Sequence, residues 1–246
     1  MSSTFRAVVS LQSSLVRLGR GAVVKGHRKE PAQPLELYEA EYCPFCRYVR
    51  EALTELDLDA IIRPVPKRGT RFRQQLQQAG GKARVPFLHD PNSGKGLYES
   101  EEIVSYLYSE YGPAGERAPP RLMPLSLLAT TLRLKNGMFA RPSKAPAQPL
   151  ELYSFEASPY ARLVRETLCE LEIPYHLHNV GKGRGRAADW LPPGARKNYV
   201  APTENRRRLV ERGGKMMVPY LVDPNTGAAM YESADIQRYL LETYGA

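Results

Sequence analysis

Cysteine, histidine and tryptophan are scarce in this 246-residue sequence, which has three, four and one of them respectively. Three thiols cannot staple a chain of this size. Two of them, Cys43 and Cys46, stand only three apart, so a disulfide framework is excluded and a reducing, cytoplasmic setting is expected. No apolar run approaches the ~18 residues of a membrane span, which excludes a transmembrane helix. With 42% hydrophobic and 25% charged residues, the chain reads as globular and long enough for two domains.

Acidic residues are nearly missing from two stretches. Residues 1–34 hold six basic side chains against Glu30, and residues 113–149 hold six against Glu116. These stretches account for the whole formal charge of +9 and leave the remainder close to neutral. A basic surface spread over the folded parts, which would point to nucleic acid, is therefore not expected.

What the sequence has in plenty is itself. Pro31-Ala32-Gln33-Pro34-Leu35-Glu36-Leu37-Tyr38 recurs unchanged 115 residues later as Pro146 to Tyr153. The offset widens to 133 at Val85-Pro86 and Val218-Pro219, so the second copy carries an 18-residue insertion, roughly Gly181 to Asn205, which includes Trp190. Tyr98-Glu99-Ser100 then matches Tyr231-Glu232-Ser233. Residues 35–112 and 150–246 are thus read as two units, preceded by segments 1–34 and 113–149.

Each copy shows the same series of signals. Leu35 and Leu37 alternate with polar neighbours as in a strand, and Val49, Leu53 and Leu56 form one helical stripe. Ala60 to Val65 reads as a second strand. The next helix passes through Phe72 and Leu76 and ends at Gly80-Gly81. Val85 to Leu88 and Gly96 to Tyr98 flank an Asp-Pro-Asn turn, as in a hairpin, and a last helix begins near Ser100. The order is β-α-β-α-β-β-α, with a proline opening the third strand.

The approach segments are also alike, Ser10-Leu11 and Gly21 matching Ser126-Leu127 and Gly137. Residues 1–29, rich in Ser and Arg, have the composition of an organelle-targeting peptide, but such a peptide should have no internal copy. Both segments are therefore read as amphipathic helices, each packed on the unit that follows it.

Cys43-Pro44-Phe45-Cys46 falls where the first strand turns into a helix. The first sulfur there meets unpaired N–H groups and the positive end of the helix dipole, and Arg47 and Arg50 add charge. Cys43 is the expected nucleophile and Cys46, one turn in, the resolver. Zinc needs four ligands, and the remaining candidates, Cys169 and the four histidines, are scattered in sequence, so no metal is expected. Cys169 shares a helix with Val164 and Leu168 and is read as core.

These features resemble the N-terminal, thioredoxin-fold domain of glutathione transferases, with a glutaredoxin-like Cys-Pro-Phe-Cys at the usual catalytic turn. Residues 150–245 resemble the same domain with Ser158-Pro159-Tyr160-Ala161 at that turn, and the layout is similar to proteins carrying two such domains and no all-helical transferase domain. The resemblance implies a glutathione site at Tyr42, Phe45, Lys82, Val85, Pro86, Glu99 and Ser100. It implies a cis Val85-Pro86 bond, with the Val85 backbone pairing the cysteinyl part of glutathione and Glu99-Ser100 taking its γ-glutamyl end. A second groove would comprise Ser158, Tyr160, Val218, Pro219, Glu232 and Ser233, without sulfur.

The favoured activity is glutathione-dependent thiol–disulfide exchange with a disulfide or glutathionylated substrate. The alternatives are a non-catalytic glutathione- or protein-binding scaffold, a transferase for a small electrophile, and a cluster-binding dimer sharing Cys43 and glutathione.

Overall fold

A computed structural model describes residue 10 and residues 19–121, 136–191 and 199–246. Most of both expected approach helices, residues 1–29 and the stretch around Leu127 to Met138, lies outside the described residues. Among the described residues there are six α-helices and two sheets, one of eight strands and one of two.

Strand β1 is Val23–Val24, β2 Leu35–Glu39, β3 Ala60–Pro64, β4 Phe87–Asp90 and β5 Lys95–Leu97. Interleaved with these are helices α1 Pro44–Glu55, α2 Arg73–Gly80 and α3 Ser100–Glu110. The second half supplies β6 Leu150–Ser154, α4 Pro159–Glu170, β7 Tyr175–Asn179, β8 Lys182–Gly183, α5 Glu204–Gly213, β9 Tyr220–Asp223, β10 Ala228–Met230 and α6 Ser233–Tyr244. Alternation along β2 sends Leu35 and Leu37 to the core, and the α1 stripe of Val49, Leu53 and Leu56 meets them there, all fully buried. Gly81 ends α2 at φ 75°, a left-handed conformation that costs glycine little.

The sheet order is β10-β9-β6-β7-β3-β2-β4-β5. Its middle joint, β7 against β3, is antiparallel and pairs Ala60 with Leu177, Ile61 with His176 and Ile62 with Tyr175. Ile61 and His176 are equivalent positions of the two copies, so a local twofold axis relates the halves and passes between them. One apolar core under α1, α3, α4 and α6 runs through both halves. Smaller clusters lie around Leu76 of α2 and Leu209 of α5.

The joint is also strongly charged. Arg50 donates to Glu156 at 2.8 Å, and its counterpart Arg165 donates to Glu41 at 3.1 Å. Arg50 also pairs with Glu39, and all five residues are buried. Burial opposes the charge on Arg50, but Glu156, Glu39 and Glu41 outweigh it and raise its affinity for the proton. Burial likewise opposes ionisation of Glu156, yet Arg165, Arg50, Arg47 and Arg162 hold it well below the usual carboxylate range. Ion pairs this deep cost so much desolvation that their mutual attraction is largely offset, whereas removing one partner leaves a buried charge uncompensated.

The approach segments touch both units. Lys182 N–H donates to the Ala22 carbonyl at 2.7 Å, and Lys67 N–H to that of Met138 at 2.8 Å. With the unit that follows, Arg20 pairs with Glu55 and Gly137 N–H donates to Glu170, and Lys25 and Arg141 add backbone bonds to Glu55 and Glu170. The halves approach closely here: Gly21, at φ 71°, lies between Glu156 of the opposite unit and Glu51 of its own, and Gly137, at φ 70°, lies between Glu166 of its own unit and Glu41 of the opposite one.

Candidate active site

Cys43 is the N-cap of α1, in extended conformation with Pro44 opening the helix. Its Sγ accepts the Cys46 N–H at 3.4 Å, and it is 8% exposed, whereas Cys46 is fully buried. Hydrogen bonding from the Cys46 side chain is the largest influence on the Cys43 thiol. With the Cys46 and Phe45 N–H groups and the Arg50 charge it overcomes burial and lowers the thiol to about 7. Burial, together with its partner thiol, pushes Cys46 well above its ordinary value. Two thiols one helical turn apart are thus driven in opposite directions. Arg50 acts as expected, but Arg47 is turned away into the inter-unit network, with Glu51 at 3.3 Å and Glu156 at 3.5 Å.

Beside the thiols, Phe45, Arg84, Val85, Pro86, Tyr98, Glu99 and Ser100 line a cleft of about 150 Å³. Five of the seven residues implied as glutathione contacts meet there. Tyr42 instead packs with Val85 against the group formed by Ala40, Cys43, Cys46 and Cys169. Lys82 is exposed, with its ammonium 5.8 Å from the Tyr98 ring centre. Val85-Pro86 is cis, and Glu99 has φ 57°, left-handed for a residue with a side chain, which turns the backbone sharply into α3. Three larger clefts, of about 380, 390 and 510 Å³, are lined by charged residues elsewhere and contain none of the thiols.

Sequence reasoning missed three side chains at this cleft. Arg84 and Tyr98 line it, flanking the two motifs that had been singled out. Arg121 lies 5.5 Å from the Phe45 ring centre and donates to Ser100 Oγ at 3.5 Å. It was counted only as part of a basic stretch, and nothing in its spacing points back to the cleft.

At the matching turn of the second half, Ser158 caps α4 and accepts the Ala161 N–H at 3.3 Å. Val218-Pro219 is cis and Glu232 has φ 65°. Ser158 and Ser233 are buried, and Tyr160 is exposed. Ser10 Oγ donates to the Pro159 carbonyl at 2.8 Å, so the N-terminal segment touches this turn.

Cys169 is buried as expected, but at the seam beneath the first pair and not within the second half's own core. Its Sγ accepts the Glu41 N–H at 3.4 Å, as its counterpart Thr54 accepts that of Glu156 at 3.2 Å. In the insertion, Asp189 accepts from Gly183, Tyr199 and Arg206, and Trp190 is exposed with Lys182 Nζ 3.4 Å from its ring centre. Two of the four scattered histidines, His176 and His178, come together with Asp59.

A helix-capping cysteine beside a cis-proline cleft is the site of a thioredoxin-like domain. The family model described as "Glutathione S-transferase, N-terminal domain" matches residues 37–117 and again 152–246, and the chain belongs to that family. Among solved structures, glutathione transferase BmGSTD1 of Bombyx mori is 26% identical, over 35% of this chain and 43% of that one, with a TM-score of 0.31. A delta-class glutathione transferase of Nilaparvata lugens is 29% identical over 32% and 37% of the two chains, with a TM-score of 0.28. The trimeric glutathione transferase TDR1 of Leishmania is 16% identical over 86% and 67%, with a TM-score of 0.31. The match thus spans less than half the length of the insect enzymes. No curated protein matches the sequence.

Proposed function

We propose that this chain is a glutathione-dependent thiol–disulfide oxidoreductase with Cys43 as nucleophile, built from two thioredoxin-type units, 35–112 and 150–246. The observation that carries the reading is the opposed pair of thiols at the start of α1, one lowered to about 7 and the other raised, at the edge of the cis-proline cleft.

The Cys43 thiolate attacks the glutathione sulfur of a mixed disulfide. The old S–S bond breaks as a Cys43–glutathione disulfide forms, and the substrate leaves as a thiolate that takes a proton from water. A free glutathione thiolate then attacks the glutathione sulfur of this adduct, releasing oxidised glutathione and restoring Cys43. Cys46 is the slower alternative resolver, because burial keeps it protonated. In the cleft, the Val85 backbone pairs the cysteinyl part of glutathione. The N-terminus of α3 with Ser100 receives its γ-glutamyl carboxylate, and Glu99 its amino group. The second half has no sulfur at Ser158 or Ala161 and serves as a docking partner. No helix of the described residues is long and apolar enough to cross a membrane, and a reducing, cytoplasmic setting suits free thiols.

Reduction of a glutathionylated peptide, coupled through glutathione reductase to NADPH consumption, tests this. Turnover that saturates with the peptide is expected. A rate no higher than that of glutathione alone would sink the proposal.

A further inference from the structure

Away from the thiols, the two copies differ in chemistry at a second place, on the α5 side of the central joint. In the first half Arg63 pairs with Glu36 at 2.7 Å, and Ile61 precedes it by two residues. The second half keeps the carboxylate as Glu151 but replaces Ile61 and Arg63 by His176 and His178. The fold needs neither histidine, since a plain ion pair serves the equivalent position.

The two imidazoles are consecutive residues on one face of β7, with ring centres 4.3 Å apart. Asp59, from the turn before β3 of the other half, reaches across the joint, its Oδ2 2.7 Å from His178 Nδ1. One donor atom from each of Asp59, His176 and His178 lies within 4.8 Å of the others. Glu151 Oε2 is 3.3 Å from His178 Nε2. His176 Nε2 is buried without a hydrogen-bond partner. An orphaned ring nitrogen beside a second imidazole and a carboxylate is a cost that hydrogen bonding within the chain leaves unmet.

We propose that Asp59, His176 and His178, with water as the fourth donor, bind one divalent ion of zinc's class and that the ion clasps the two halves. Two imidazoles and one carboxylate suit Zn²⁺ or Co²⁺, and two nitrogen ligands argue against Ca²⁺ and Mg²⁺. Metal–ligand bonds of 2.0–2.2 Å in a tetrahedron place donors roughly 3.3–3.6 Å apart, so donors that lie within 4.8 Å of one another close by at most about 1.5 Å on binding. On binding, the proton that His178 shares with a carboxylate passes to solvent. Glu151, held by Arg212 at 2.5 Å, stays on the other ring nitrogen of His178 and orients the imidazole toward the ion. Because Asp59 belongs to one half and the histidines to the other, the ion holds the joint closed beside Ile61 and His176.

The test uses the full chain with Cys43→Ser and Cys46→Ser, so that thiolates cannot take the metal. Cobalt titration followed by visible absorption, and zinc titration by calorimetry, should each show one saturable site. His176→Gln and Asp59→Asn should each weaken it at least roughly tenfold, while His89→Gln, in the first half's counterpart Glu36–Arg63 group, leaves it unchanged. Zinc should raise the thermal midpoint of the parent and not that of His176→Gln. Should His176→Gln fail to fold, Asp59→Asn carries the comparison. No saturable binding, or parental affinity in the folded variant, overturns the proposal.

Discussion

The halves of this chain use the same turn for different ends. In each, a strand leads through a proline into a helix whose N-cap side chain accepts the N–H three residues on, at 3.4 Å for Cys43 and 3.3 Å for Ser158. With oxygen in that position the contact is a helix cap. With sulfur it stabilises a thiolate, because the donors that satisfy a cap also favour negative charge on the capping atom. The second half has Ser158 and Ala161 where the first has Cys43 and Cys46, while the architecture around them, including the cis proline and the left-handed glutamate, is the same.

Replacing each capping atom should therefore break the comparison most severely. Cys43→Ser is expected to reduce glutathione-linked turnover by roughly a thousandfold or more, whereas Ser158→Ala leaves it within the error of the coupled assay. A comparable loss in both variants would mean that the second half takes part in the chemistry.

A smaller but still large effect concerns stability. Glu156 meets Arg47, Arg50, Arg162 and Arg165, and its counterpart Glu41 meets Arg50 and Arg165. Glu156→Gln and Glu41→Gln should each cost about 3–5 kcal/mol, the range for removing one member of a buried ionic group. Urea unfolding of the two variants measures this. A loss below about 1 kcal/mol in either variant would show that the network does not govern the joint.

Below these stand two modest effects. Cys46→Ser should keep turnover on a glutathione mixed disulfide within about tenfold of the parent, since free glutathione can resolve the adduct. A deeper loss in that steady-state assay would point to a dithiol route. Ser158→Ala removes a cap only, so it should lower unfolding stability by about 1 kcal/mol in the same urea experiment.

Local features were legible in the sequence because they are written in local patterns. The Leu35–Leu37 alternation, the α1 stripe, the Gly81 stop and the serine at the start of α3 each fix their own element. The repeat supplied the register between copies. What remained hidden depends on residues brought together over long separations. Arg47 and Arg50 read as thiol-activating charges, and only the antiparallel joint of β3 with β7 turns them, with Arg162 and Arg165, inward to Glu41 and Glu156. The same joint carries Cys169 beneath the thiol pair, gathers Asp59 with two histidines and makes each approach segment pair with the opposite unit. A repeat in sequence announces two similar bodies, but it does not specify which edge they share.

The central claim is that position at the helix start separates the two thiols of the first half. It is tested most directly by alkylation of each cysteine against pH, read site by site by mass spectrometry on the intact chain. For Cys43 the rate should rise with pH through a midpoint of about 7, since only the thiolate reacts, while Cys46 should remain unreactive until well above that range. A Cys43 midpoint at or above the ~8.5 of a free cysteine, or a Cys46 that titrates first, would contradict the account.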